Sequence, residues 1–447
     1  MSKQFSIIIV GGGIAGLATA IALRAPNRKI TILEQSSLNR EIGATISLQP
    51  NASKIVEQQW DLSKTLKDKG SMVDEGFQVY NLDGELQMRV PLSTTEKYGA
   101  ERMLYYRIDL HDALKKRATS KEWDGEPAEI RVSSRVTGCD CDEGVVYTQT
   151  GERFQADLVV GADGIKSVVR DAVLDTKVPA LRTGHSAYRM ILSIDRLLTD
   201  CKAFCEVVDP RAPYTTMVMA RNRRMIMGPA RNGSVYSIVA MVPDEDLGED
   251  PNTTSWTTHG DIPKMKETFS DFPEWARGPL SCVNDGEVGL WQLRDIDPLP
   301  TWTKGRVVLV GDAAHAMLPT QGQGASQAIE DAEAVGAFYA DINIDEGGLE
   351  QVKAVNEKIF ACRYKRATTI QQYSRQAAKP ATEEGSVKVK MSPSEFMDYN
   401  CNYGGAVEWL RRQKEEDAKE AGGDKLAEDI SKMRIVDREV SAQEVVA

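Results

Sequence analysis

At 447 residues, with 41% hydrophobic and 27% charged side chains, the chain has the length for two or three structural units and the composition of a globular protein. Its 55 basic and 66 acidic residues leave a net charge of −11, which argues against a nucleic-acid partner, since phosphate binding needs a basic face. Seven cysteines, at 139, 141, 201, 205, 282, 362 and 401, form no paired CxxC units, and the four histidines lack ligand-like companions, so reduced thiols and no metal centre are expected. Residues 5–23 are apolar enough to imitate a signal peptide, but their glycines form a phosphate-binding pattern and no cleavage site follows. No other run approaches the ~18 apolar residues of a membrane helix. A cytoplasmic protein without a membrane span is expected.

The apolar run 5–10 leads into Gly11-Gly12-Gly13-Ile14-Ala15-Gly16 and then into the apolar residues 17–23. This is a strand, a GxGxxG turn and a helix start, the order that a dinucleotide-binding βαβ unit needs. Gly11 allows the tight turn, Gly13 lets the backbone approach a pyrophosphate, and Gly16 lets helix and strand pack closely. A second strand, 29–33, ends at Glu34, where a carboxylate accepts hydrogen bonds from ribose hydroxyls. Residues 105–114 read as a strand-to-helix junction at which the Arg107 guanidinium has the bidentate geometry to bridge two oxygen groups. Residues 131–136, 144–148 and 152–156 read as the short strands of an antiparallel meander. The strand-turn-helix logic then repeats at Val159-Val160-Gly161-Ala162-Asp163-Gly164, with a carboxylate placed to order donors around phosphate.

From about residue 183 to 289 the pattern turns to β-rich alternation. Residues 215–220 and 225–229, joined by the turn 221–224, read as a hairpin, and 234–242 as a third strand, an antiparallel sheet that roofs a cavity. Met217 and Met219 share one face of their strand, as do Met225 and Met227 of theirs; they either wall the cavity or pack under a covering helix. The apolar run 307–310 reads as a buried strand, and Gly311-Asp312 with the following loop leads into a helix from Ser326. A carboxylate and the free N–H groups of a helix start are thereby brought to one point. Residues 360–376 are helical, 396–406 read as an aromatic loop, and the chain beyond Trp409 is a charge-rich helix broken at Gly422-Gly423.

Gly311-Asp312, followed by His315, Pro319 and Gln323-Gly324, resembles the second FAD signature of the single-component flavoprotein aromatic hydroxylases, the salicylate hydroxylase-like monooxygenases. Asp163-Gly164 resembles their DG signature, and Arg107 with Leu110 their Arg-x-x-Leu element. The resemblance runs from about residue 5 to 410, and the three glycine motifs occur in the family's order. It departs at Thr45, where relatives often have a second glycine, and at Gly404-Gly405, where they commonly have Gly-Tyr-Asp. The implied fold is α/β: a Rossmann-like FAD-binding domain of residues 1–180 and 290–375, an inserted antiparallel substrate domain of 181–289, and a helical C-terminal segment of 376–447. The residues implied to hold FAD are Gly11, Gly13, Ala15 and Gly16 of the first turn, Glu34 and Gln35 of the second strand's end, and Arg40, Gly43 and Ala44 beside the flavin. They continue with Arg107, Val136, Asp163 and Gly164, with Asp312 on the ribityl chain, and with Gly322, Gly324 and Ala325 in the loop beside the ring.

The resemblance implies an FAD-dependent monooxygenase that uses NAD(P)H and O2 to hydroxylate an aromatic, phenolic or related electron-rich ring through a flavin C4a-hydroperoxide. With no second complete βαβ unit, NAD(P)H is expected as a transient co-substrate. Arg189, which opens the sheet domain, Tyr236 and Pro319 are the expected catalytic positions. An oxidase, dehydrogenase or epoxidase on the same fold is the alternative; a halogenase of this fold usually carries WxWxIP, which none of the seven tryptophans forms. A monomer or homodimer is expected.

Overall fold

The structure, a computed structural model, describes residues 4–38, 44–92, 94–247, 257–340, 342, 348–378 and 389–420. Met1–Tyr403 forms one compact unit, and Gly404–Ala447 a second, of which the helix Ala406–Glu420 is described.

The strand Phe5–Val10 is apolar at five of its six positions and almost wholly buried, as a central parallel strand covered on both faces must be. It lies between Arg28–Leu33 and Leu158–Gly161, parallel to both. The six-stranded order is Thr303–Lys304, Val307–Leu309, Leu158–Gly161, Phe5–Val10, Arg28–Leu33 and Glu129–Arg131, with only Thr303–Lys304 antiparallel. Alternation splits the central strand between two cores. Ile7 and Ile9 join the helices Ile14–Leu23 and Gly324–Tyr339, whereas Ile8 and Val10 join Trp302, Val307 and Leu309 on the other side. The two helices approach closely because Gly336 has no side chain; a Cβ there would stand 2.8 Å from that of Ala22.

An eight-stranded sheet follows the order Thr257–His259, Gly289–Asp295, Leu181–Ser193, Val235–Pro243, Arg224–Ala230, Tyr214–Met219, Gly76–Tyr80 and Leu86–Pro91. Its last two strands come from the first 180 residues, and Gly76–Tyr80 pairs in parallel with Tyr214–Met219. One face carries Tyr188, Met190, Tyr236, Ile238, Met225 and Met227, packed with Phe204, Phe269 and Trp275 of the covering helices. The opposite face carries Ala187, Val239, Met241 and Ile226, which meet Leu318 of the loop that follows Asp312.

Three local expectations fail. Residues 131–136 are not one strand: Glu129–Arg131 joins the parallel sheet, Ser133 turns the chain at φ 54°, and the meander begins at Val136–Asp140. Residues 396–401 are not a loop but the end of the helix Pro393–Cys401, started by a capping box in which Ser392 Oγ accepts from the Glu395 N–H and the Glu395 carboxylate accepts from the Ser392 N–H. Cys201 and Cys282 form a disulfide, so the expectation of reduced thiols fails for that pair. Gly422-Gly423 lies outside the described residues.

A buried ion cluster ties the long helix Gly348–Gln376 to Gly324–Tyr339. Arg363 donates through Nη1 to Glu330 at 2.5 Å and through Nε to Asp331 at 2.9 Å, and Arg366 donates to Glu330 at 2.7 Å. Glu330, Asp331 and Arg363 are at most 1% exposed, so the charges answer one another without help from water. Truncating one member leaves the others uncompensated in a low dielectric. Arg363→Met is therefore expected to destabilise the fold by about 3–5 kcal/mol, measurable as a lowered denaturant midpoint in equilibrium unfolding.

Candidate active site

The strands Phe5–Val10, Leu158–Gly161 and Val307–Leu309 are neighbours and parallel, so the glycine motifs that follow them emerge side by side at their carboxyl ends. Their contact leaves no room for larger residues. A Cβ on Gly11, which has φ +106°, would stand 2.4 Å from the Ala162 carbonyl oxygen; one on Gly16 would stand 2.0 Å from the Gly11 oxygen. Gly311, at φ +60°, faces Ala15, whose Cβ would be 2.8 Å from an added one. Gly13 and Gly164 face open space instead, so their main chains line an approachable surface.

Gly13 is the N-cap of Ile14–Leu23 and offers no side-chain cap, and the first turn has no acidic residue. The helix start therefore presents free N–H donors and the positive end of its dipole, the chemistry that a pyrophosphate needs. Gln323, the N-cap of Gly324–Tyr339, likewise donates no cap, and Ala325 follows in the first turn. The Glu34 carboxylate is engaged with the protein: its Oε2 accepts from the Gly12 N–H at 2.7 Å and its Oε1 from the Ser36 N–H at 2.7 Å. Gln35 is exposed at the same strand end. Val136 turns its side chain into the core that holds Val10 and Leu33, so only its main chain can serve a dinucleotide. Ala44 accepts from the Arg107 N–H at 2.8 Å; Arg40 and Gly43 lie outside the described residues.

The two motif aspartates have different surroundings. Asp163 is occupied with protein: its carboxylate accepts from Ser167 Oγ and from the N–H groups of Val168 and Val169 at 2.8 and 3.2 Å, capping the helix Val168–Leu174. Asp312 is open to solvent, and its carboxylate accepts no hydrogen bond among the described residues. The surrounding protein raises its pKa through desolvation, while His315, Arg107 and Arg170 pull it down. The acid is held from behind: Asp331 Oδ2 accepts from the Gly311 N–H at 2.9 Å and lies 2.6 Å from His315 Nε2. Burial works against the charge of Asp331, yet His315 and Arg363 bring its pKa down to about 2. Sequence reading did not mark Asp331, whose helical spacing looks like any helix interior.

Gly322, at φ +62°, ends the 3-10 turn Pro319–Gln321, and Pro319 is exposed there. Gln49 Nε2 donates to the Gln321 carbonyl at 2.8 Å, pinning this loop to the segment before Pro50.

Arg189 belongs to the same charge field. Burial lowers its pKa and the nearby Arg107 lowers it further; Arg107 in turn feels Asp312. Its guanidinium lies 4.5 Å over the Trp291 ring, and its Nε is buried without a hydrogen-bond partner. Gly289 clears the space for that indole: a Cβ there would be 2.9 Å from Trp291 Nε1. Tyr236 does not join the group. Arg189 pairs with Val239, and Tyr236, three residues away, projects to the opposite face, where it is 0% exposed and packs edge-on against Phe204 at 5.5 Å. The catalytic position expected for Tyr236 is thereby corrected to a core position beneath the helices.

An uncapped glycine turn, a free carboxylate 300 residues later and a parallel sheet between them define a dinucleotide-binding flavoprotein. A profile of the FAD binding domain matches residues 4–348. The chain is 32% identical over 347 residues to hispidin-3-hydroxylase of Neonothopanus nambi, covering 75% of this chain and 80% of that protein. It is 29% identical over 386 residues to salicylate hydroxylase of Pseudomonas putida, covering 82% and 83%. A salicylate hydroxylase substrate complex superposes with a TM-score of 0.72 at 25% identity, over 90% of this chain and 96% of that one. The chain belongs to the FAD-dependent monooxygenases of the aromatic hydroxylase family, of the salicylate hydroxylase type.

The residues fit FAD. Gly13 offers an open main chain for the pyrophosphate, and Asp312 a carboxylate without a donor for ribityl hydroxyls. Asp312→Ala should cost about 1.5–3 kcal/mol of FAD affinity, the worth of a charge-assisted hydrogen bond. Fluorescence titration of the apoprotein measures it; unchanged affinity would refute the assignment.

Proposed function

We propose that the protein is an NAD(P)H- and O2-dependent hydroxylase of an acidic aromatic ring, with the FAD-binding part formed by residues 1–180 and 290–375 and the substrate held by the sheet of residues 181–289 together with the strand Gly76–Tyr80. The observation that carries this reading is Arg189: a half-buried guanidinium on the sheet face turned toward the loop after Asp312, stacked on Trp291 and paired with no acid among the described residues. Such a cation is desolvated in advance of its ligand. A phenol brought beside it loses its proton more readily, because the phenolate gains a charge-assisted hydrogen bond. An ionised ring is richer in electrons than the neutral phenol and therefore a better nucleophile.

When bound, FAD supplies the activation of O2 and delivers one oxygen atom to the ring. The chain's own residues bind, orient and shield. The start of Ile14–Leu23 and the Gly13 main chain would take the pyrophosphate, Glu34 the adenosine ribose, and Asp312 with Arg107 the ribityl chain. The free N–H groups at Gly324 and Ala325 lie where negative charge is stabilised by a helix dipole. Trp291 restricts the Arg189 guanidinium to one plane, and Val239 and Ile226 give the substrate an apolar wall that excludes water. A single glycine-turn βαβ unit leaves NAD(P)H a passing visitor to the same cleft. Two relatives are named for hispidin and salicylate, and salicylate is itself an anionic phenol, which agrees with a cationic anchor.

Arg189→Leu should retain FAD and its absorbance spectrum, and should still oxidise NAD(P)H. Product formation should fall by about two orders of magnitude, the worth of a desolvated charge-assisted contact, with the consumed NAD(P)H recovered as hydrogen peroxide. Measuring product against peroxide per NAD(P)H checks this; wild-type coupling in the variant would remove Arg189 from the site.

A further inference from the structure

Arg224 is a second guanidinium on the substrate face. In the sheet register Arg189 stands opposite Val239 and Val239 opposite Ile226, while Arg224 stands opposite Met241 and Met241 opposite Ala187. Cross-strand partners and residues two apart along a strand share a face, so Arg189 and Arg224 project from the same side of the sheet. The neighbouring Arg223 projects the other way, where it holds Asp271 in a bidentate pair and the Thr268 carbonyl. Arg224 is half-buried and, like Arg189, has no ion pair or hydrogen bond to its guanidinium among the described residues. Arg189 and Arg224 are two strands and two residues apart, so ordinary sheet spacings put their Cα atoms about 12 Å from each other. Between them lie the half-buried apolar side chains of Ile226 and Val239, while Met241 is buried against Leu318.

A cation removed from bulk water without a partner is costly unless a ligand supplies the counter-charge. Two such cations at either end of an apolar strip describe a ligand with an acidic group at each end and a flat hydrophobic body. We propose that Arg224 is a specificity-determining residue that recognises a second anionic group, so that the substrate is an elongated aromatic acid, two rings long, with its reacting ring held at Arg189 and a carboxylate or equally acidic group at Arg224. This rests on the reading of Arg189 as the anchor of the reacting ring. A phenol whose one acidic group is held at Arg189 would leave Arg224 unanswered.

Calorimetric titration of the oxidised FAD-loaded enzyme with 4′-hydroxybiphenyl-4-carboxylate and with 4-hydroxybiphenyl tests this. The first probe has both acidic groups; the second lacks the carboxylate. The wild-type enzyme should bind the carboxylate probe about 10- to 100-fold more tightly, the range of a charge-assisted hydrogen bond at a half-buried site. Arg224→Met should abolish that preference, and Arg224→Lys should keep part of it, with FAD content and circular dichroism as checks on folding. A wild-type enzyme that binds the probes equally or binds neither overturns the proposal, as does an Arg224→Met variant that keeps the preference. Arg189→Leu should weaken both probes alike. If it leaves both unchanged, the anchor reading fails, and this result is distinct from loss or persistence of the carboxylate preference.

Discussion

The direction in which Asp312 points depends on one carboxylate that lies behind it. Asp331 receives the Gly311 N–H and His315 on one oxygen and Arg363 on the other, all at 2.6–2.9 Å. Gly311 has a left-handed φ because the chain must reverse against Ala15, and a reversal of that kind needs something to hold it. The hydrogen bond from its N–H fixes the turn, and the turn aims Asp312 outward. The opposite charge on Arg363 lets Asp331 remain ionised where water is absent, and Arg366 with Asn51 does the same for Glu330. A helix far along the chain thus sets the direction of the Asp312 side chain.

That arrangement also explains how the three motifs come to one place. Each follows a parallel strand, and the strands are adjacent, so the turns emerge at one edge. The packing there is by main chain, Ala162 against Gly11 and Gly11 against Gly16, and by the Ala15 methyl against Gly311. Side chains would separate the turns, so glycine here is required by the neighbouring turn as well as by its own dihedral angles.

This is why the glycine turns were legible in the sequence and the sheet face around Arg189 was less so. Glycine turns, strand ends and a helix start are local statements, and GxGxxG, Asp163-Gly164 and Gly311-Asp312 make them within a few residues each. The surface between Arg189 and Arg224 depends on register, because a shift of one residue moves a side chain through the sheet. Arg223 and Arg224 are indistinguishable until the strand Arg224–Ala230 is paired, and Tyr236 was placed on the cavity side for the same reason. The misread loop at 396–401 is different. Ser392, Pro393 and Glu395 spell a capping box, a signal present in the sequence but overshadowed by the aromatic and glycine residues that follow.

The parallel pairing of Gly76–Tyr80 with Tyr214–Met219 carries a consequence for how the molecule is made. Residues 181–243 supply four consecutive antiparallel strands that can pair as soon as they are synthesised, but the outermost of them in the sheet, Tyr214–Met219, has an open row of N–H and C=O groups until a segment made more than 130 residues earlier returns to cover it. Closing so long a loop is slow compared with forming hairpins. During that interval the nascent chain carries a bare sheet edge, and Leu86–Pro91, the last strand to be laid down beyond it, becomes the edge that the finished protein shows to solvent. Its run of exposed residues includes Arg89 and ends at Pro91, a composition that discourages a further strand from adding where the chain's own growth stops.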